Sequence, residues 1–308
     1  MSTPGTTSQR SRRSTTIGLL LAAGGAFLFA SKGLFAKALY REGVDFQTLT
    51  VLRAALSLPL FFGLAMTRGL QLAGRPPVAL GQAAAAGVIC YGVGALLDFR
   101  ALELIDVSIE RALLFSYPAI VVFYTAIVRR RWPSAPVAAA LVMTYGGILL
   151  VVGGFDPVEW RQNLGGSLLV LLCATTTATY FLLGERCIPE LGSMGFTIVA
   201  MLAATVFVSV HYAVTHPLAA IAAVSVHGWL LMVALAVLCM FLPSLMQAEG
   251  IRRVGAVRGS LVSTVGPPAA LLLGAVLLGE RPAPWQMLGT ALIIGGIVVI
   301  ARGANRSA

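Results

Sequence analysis

Apolar runs of about 20 residues, the length that crosses a bilayer as a helix, follow one another from Ile17 to Ile300 with only short polar joints between them. A backbone surrounded by hydrocarbon must satisfy its own N–H and C=O groups, which leaves helices or a closed barrel. The hydrophobicity is continuous rather than alternating, so a barrel is excluded. Ten spanning helices are expected, at about 17–38, 48–66, 78–97, 107–128, 136–153, 164–184, 195–214, 228–246, 256–278 and 284–301. Only 11% of the residues are charged, against about 25% in an ordinary soluble domain, so no soluble domain of useful size remains. Residues 1–16 read as a disordered basic tail. Arg10, Arg12 and Arg13 precede the first run without a convincing small-x-small cleavage site, so that run is taken as a membrane helix and not as a signal peptide.

The net charge of +10 would point to nucleic acid in a soluble protein. Here most of the arginines sit in the joints. With the N-terminus in the cytoplasm, fourteen arginines fall on the inside and four (Arg41, Arg100, Arg161, Arg281) on the outside. That bias places both termini inside an inner (plasma) membrane and argues against a nucleic-acid partner. Cys90, Cys173, Cys187 and Cys239 form no C-x-x-C pair and read as free thiols packed as small hydrophobes.

Shifting the chain by 149 positions superimposes its halves without a gap: Gly43 on Gly192, Cys90 on Cys239, Pro118 on Pro267, Pro133 on Pro282, Gly146-Gly147 on Gly295-Gly296. The units are residues 17–154 and 164–301. Each holds five helices, an odd number, so the second must enter the membrane from the opposite side. The fold class expected is therefore all-α integral membrane, ten transmembrane helices as two inverted five-helix repeats. Two such halves can exchange conformations around a central site, which points to secondary transport.

The pattern resembles the drug/metabolite transporter superfamily, specifically EamA-type ten-helix permeases. The likeness rests on Pro267, the apolar run after it, Gly279-Glu280-Arg281, Leu288-Gly289 and Gly295-Gly296, with Lys37 and Arg53 also at family positions. In the first repeat Arg130-Arg131-Trp132 stands where the family motif has Gly-Glu-Arg, so nothing acidic stands opposite Glu280. The resemblance implies a carrier of a small metabolite (amino-acid-like or another small organic solute) working by alternating access, as efflux or exchange. Its partners would be that substrate and the lipid bilayer, with a homodimer open and no cofactor.

Ionisable groups inside spans are costly, about 2.5–3.5 kcal/mol each at mid-helix on insertion scales, and usually face a cavity or a partner. Lys32, Lys37, Arg53, Asp98, Glu110 and Arg111 all belong to the first repeat. Under the shift of 149 they fall on Phe181, Arg186, Leu202, Gln247, Gly259 and Ser260, so the cluster is asymmetric. Lys32 is expected to meet the substrate or a gating carboxylate, with Asp98 and Glu110 the nearest acidic candidates. Four cations against two carboxylates hint at an anionic group on the substrate. Lys37, Arg53 and Arg111 read equally as interfacial ion pairs whose long side chains snorkel, and with Gln247 they are assigned structural or gating roles.

An uncharged set, Tyr91, Ser116, Tyr117, Thr175, Thr176, Thr177, Tyr180, Ser263 and Thr264, would suit a pocket for an amphipathic solute, although helical hydroxyls also bond back to their own backbone. Pro118 and Pro267 break the helix ladder near these positions. Glu280 is expected to cap or bridge helix ends with Arg281 as its partner. His211, His216 and His227 read as loop histidines, and no metal site is expected. A membrane-embedded enzyme is disfavoured because H-E-x-x-H, G-x-S-x-G and the phosphate-binding G-x-x-x-x-G-K-[ST] are all absent. A non-transporting receptor would need an output domain that the chain has no room for.

Overall fold

The computed structural model describes residues 4–69, 73–128, 135–152, 154, 156–262, 266, 270 and 273–304, and the regular elements among them are all helical. Five helical stretches are long and apolar enough to cross a membrane: Thr15–Arg41, Phe46–Thr67, Pro77–Leu104, Pro157–Thr215 and Val226–Gly255. Pro157–Thr215 is two spans joined at Gly192, where φ is +73°. The chain folds back there, bringing the rings of Tyr180 and Phe196 to 5.1 Å. Helices Val107–Leu114 and Tyr117–Val128, Ala135–Val152, and Pro284–Ala304 take the fourth, fifth and tenth spans. The ninth span is described at its two ends. Ser263, Thr264, Pro267 and Arg129 to Ser134 lie outside the described residues.

The offset of 149 recurs in the backbone. Gly43 (φ +81°) and Gly192 (φ +73°) both take the left-handed conformation that glycine adopts most easily. The third span carries a π-helical stretch at Val88–Gly94 and the eighth carries one at Val237–Phe241, and both begin at the same position of the repeat. Near the end of each of these spans an i,i+3 ion pair ties the helix to the neighbouring span, with the signs exchanged. Arg100 pairs with Glu103, whose Oε1 accepts from the Phe46 N–H at 3.1 Å. Glu249 pairs with Arg252 at 2.5 Å and accepts from the Ser193 hydroxyl at 2.8 Å.

Helix contacts between the halves use small residues, as expected where apolar lipid supplies no hydrophobic drive to association. Ala22, Ala26 and Ala30 are fully buried on the first span, and Gly18 and Gly25 face Arg253, Val254 and Met246 of the eighth. A methyl group added at Gly87 would lie 1.9 Å from the Ala200 carbonyl oxygen, and one at Gly147 would lie 2.5 Å from the Gly289 carbonyl oxygen. The tenth span uses Gly289 and Ile293 there, while Ala291 faces outward.

Several element boundaries differ from expectation: the third span runs on to Leu104 and the eighth to Gly255, beyond the expected ends at 97 and 246. The first helix begins at Pro4, so residues 4–16, expected as a disordered tail, continue the span; once a helix is nucleated, each added residue gains a bond for little further cost. The same span is interrupted at Ser31, whose hydroxyl donates back to the Leu28 carbonyl at 2.8 Å, and it resumes as Lys32–Arg41. The sixth span starts at Pro157 rather than near residue 164, with Asp156 as N-cap accepting from Val158 at 2.8 Å. Proline at the first helical position has a φ already suited to the helix.

Candidate functional site

The fourth span is also interrupted. Val107–Leu114 ends at Phe115, and Tyr117–Val128 begins one residue before Pro118. Proline has no N–H for the carbonyl four residues earlier, so the ladder stops there. Breaks at Ser31 and Phe115, together with the π stretch at Val88–Gly94, sit around one cavity. The cavity has a volume of about 80 Å³. Lys32, Arg53, Tyr91, Asp98, Arg111, Tyr117, Tyr180 and Gln247 line it, and Phe29, Cys90, Phe99, Phe115, Cys173 and Thr177 are also on its wall.

Lys32 Nζ is ion-paired with Asp98 Oδ2 and lies 3.6 Å from Glu110 Oε1. Glu110 Oε2 lies 3.3 Å from Arg111 Nη2. The four side chains are at least nine-tenths buried, so this is a continuous network in low dielectric, where each charge depends on its neighbours. Glu110 is wholly buried behind the cavity wall, beside Lys32, Asp98 and Arg111, which line it. Arg53 rests its guanidinium on the Phe99 ring at 4.8 Å and Lys32 approaches the same ring at 5.8 Å, both within cation–π range.

The aromatic residues pack edge to face and stacked. Tyr91 and Tyr180 lie 5.2 Å apart, and Tyr117 stacks on Phe181 at 5.2 Å. Phe181 occupies the repeat position of Lys32, and Gln247 that of Asp98, so the charged corner of the first half faces an aromatic and amide corner of the second.

These positions set several of the expected residues on or off the cavity wall. Arg53, Arg111 and Gln247, expected as structural or gating groups, line the cavity. Thr176 does not: its hydroxyl donates to the Cys173 carbonyl at 2.7 Å and crowds Gly94, and Thr177, one residue on, lines the cavity instead. Ser116 is buried at the helix break without a hydrogen bond to its hydroxyl and stands off the lining. Cys90 and Cys173 are free thiols on the cavity wall.

Lys37 Nζ donates to the Ile105 carbonyl at 2.9 Å and so closes the end of helix Ala95–Leu104. Glu280 does cap a helix, but Arg281 is not its partner among the described residues. Gly279, at φ +71°, turns the chain so that Glu280 accepts from Val107 N at 2.9 Å, from Ser108 N at 3.1 Å and from the Ser108 hydroxyl, while Arg281 is exposed. Three donors at the start of Val107–Leu114 thereby find a carboxylate. His216 lies 3.8 Å from Asp45, and His211 stacks on Phe207.

Residues 91, 94, 95 and 98, all on the cavity wall, follow the i, i+3, i+4, i+7 spacing of one helix face. That periodicity was available in the sequence; Phe29, Phe99 and Phe115 carried no comparable mark, because phenylalanines in spans also face lipid, as the exposed Phe27, Phe62 and Phe123 do.

The EamA-like transporter family matches this chain twice, over residues 16–153 and again over 164–302. An uncharacterized transporter of Bacillus subtilis (strain 168), YcbK, is 30% identical over 301 residues, spanning 94% of this chain and 91% of that protein. A solved crystal structure at 20% identity shares the fold, with a TM-score of 0.67 over 94% of this chain and 98% of its own. Two matched repeats over nearly the whole sequence, built as helices with a buried cavity between them, make the chain a member of the EamA-like transporter family within the drug/metabolite transporter superfamily.

Proposed function

We propose that the chain is a secondary carrier that moves a small organic solute through the cavity lined by Lys32, Arg53, Asp98, Tyr91 and Tyr180, by alternating access. The observation that carries this reading is the buried Lys32–Asp98–Glu110–Arg111 network on the cavity wall. Fold maintenance does not require it, since its counterparts in the second half are Phe181, Gln247, Gly259 and Ser260.

A carrier needs groups whose interactions differ between its two states, and an ion pair one side of which faces the substrate is such a group. The halves are read as inverted, with both termini in the cytoplasm, from the arginine bias. The substrate is amino-acid-like or a similar small metabolite, moved as efflux or exchange. In this reading Lys32, Asp98, Tyr91, Tyr117 and Tyr180 meet the solute, Glu110 acts through Lys32 and Arg111, and Glu280 and Lys37 hold helix ends in place.

Purified protein in proteoliposomes, challenged with a panel of labelled amino acids and organic acids, tests the proposal. Accumulation or counterflow of one class, abolished in Asp98→Asn, is expected; loaded and empty vesicles compared side by side separate exchange from one-way flux. A folded protein that moves nothing from a broad panel in either direction would refute it.

A further inference from the structure

We infer that Arg53 is the anion receptor of the cavity and that the transported solute carries a carboxylate on a small apolar or aromatic body. This rests on reading the cavity as the solute's site. Arg53 is 3% exposed and lines the cavity. Its Nε and Nη2, which together form the edge of the guanidinium that grips a carboxylate with two parallel bonds, have no hydrogen-bond acceptor. Among the described residues no carboxylate comes within the 4.0 Å of an ion pair with it. Asp98 is committed to Lys32, and Glu110 lies between Lys32 and Arg111.

A buried lysine could answer such isolation by losing its proton, but a guanidinium does not deprotonate in proteins. The face of Phe99 screens one side of it; the free edge needs an acceptor. The sum of charges agrees. Lys32, Arg53 and Arg111 stand against only Asp98 and Glu110, so cations are in excess and an anion lowers the net charge of the site. Much of the remaining wall is aromatic: Phe29, Tyr91, Phe115, Tyr117 and Tyr180 flank the space that the body of such a solute would fill. In the second repeat Leu202 stands at the position of Arg53, so the receptor belongs to one half only.

Benzoate and benzamide, equal in shape but only one charged, are the probes. With detergent-purified full-length protein, millimolar benzoate should raise the unfolding temperature while benzamide should not. Arg53→Gln should abolish the benzoate shift, and Arg53→Lys, which keeps the charge and loses the two-bond edge, should weaken affinity about 10- to 100-fold. Because removing an unpartnered buried charge relieves the apo protein, Arg53→Gln should unfold no earlier than wild type without ligand.

Equal shifts from both probes, no benzoate shift in wild type, or undiminished binding in Arg53→Lys would each overturn the assignment, and the lysine variant decides if the glutamine variant does not fold. Labelled benzoate in proteoliposomes separates this claim from the carrier reading. Binding that depends on Arg53, with neither benzoate nor any solute of the panel taken up, leaves the receptor and sinks the carrier. Uptake indifferent to Arg53 leaves the carrier and sinks the receptor.

Discussion

Lys32 is the shared counterion of two carboxylates buried in hydrocarbon. Lys32→Ala would leave Asp98 and Glu110 to face each other, and at least one must then take a proton. Removing one partner of a buried pair costs about 3–5 kcal/mol. The variant is expected to lose transport and to unfold early, and adding Asp98→Asn should recover part of the stability without recovering transport. Thermal unfolding of the single and double variants measures this; additive losses would show that the two side chains are not coupled. Lys37→Ala removes one bond to a carbonyl and should cost about 1 kcal/mol with transport retained.

Asp45, in the joint between the first two spans, offers a test by pH. Burial acts to raise its carboxyl, but the Thr48 hydroxyl and the Thr48 and Gln47 amides outweigh burial and hold it below its usual value. A group whose folded value is depressed stabilises fully above the unfolded value of about 3.9 and loses that contribution as pH falls through the folded one. Asp45→Ala should therefore cost about 1 kcal/mol at neutral pH, and its deficit should shrink below about pH 4. A deficit that persists undiminished at pH 3 would contradict the capping role. At this scale the charged corner was legible in the sequence, since an ionisable group in an apolar run is conspicuous. The free edge of Arg53 was not, since only the fold shows which cation each carboxylate takes.

Two interhelical contacts at the scale of elements invite substitution. Gly87 meets the Ala200 backbone so closely that a methyl group cannot be accommodated by rotating a side chain. Gly87→Ala must push the third span off the seventh, and loss of monodisperse protein is expected, whereas Gly81→Ala, with nothing within 4 Å, should behave as wild type on size exclusion. Glu280 satisfies the first turn of Val107–Leu114, the segment that carries both Glu110 and Arg111. Glu280→Ala should destabilise by about 1–2 kcal/mol and lower transport through that segment. Glu280→Gln, which keeps an acceptor, should lose less; equal losses would mean that the charge matters beyond capping. The spans were legible because hydrophobicity over about 20 residues depends on no detail of packing. The interruption at Phe115 was marked by Pro118; the one at Ser31 was not legible, because a hydroxyl bonding back to its own helix has no sequence signature distinct from one that does not.

For the molecule as a whole, topology is the first quantity to measure. A cysteine placed at Gln162 should react with an impermeant thiol reagent in intact cells, and one at Arg68 should not; the reverse pattern would invert the orientation while leaving the repeat intact. The repeat itself was legible from residue identities, and the backbone repeats it at Gly43 and Gly192 and at Val88 and Val237. The sign-exchanged pairs, Arg100–Glu103 and Glu249–Arg252, give the two halves a common electrical polarity. If the halves are inverted, the third and eighth spans run in opposite directions, and reversing the signs makes the two pair dipoles parallel. With the termini inside, both positive ends point to the cytoplasm, down the voltage gradient of an energised membrane. The paired atoms of Glu249 and Arg252 are only 2.5 Å apart, so each pair gains about 0.2 kcal/mol per 100 mV. That is too little to hold the protein in place, but both halves contribute with the same sign. A molecule that is nearly symmetric in shape is therefore not symmetric in the membrane field: turned over, it would have both pairs opposed to the voltage.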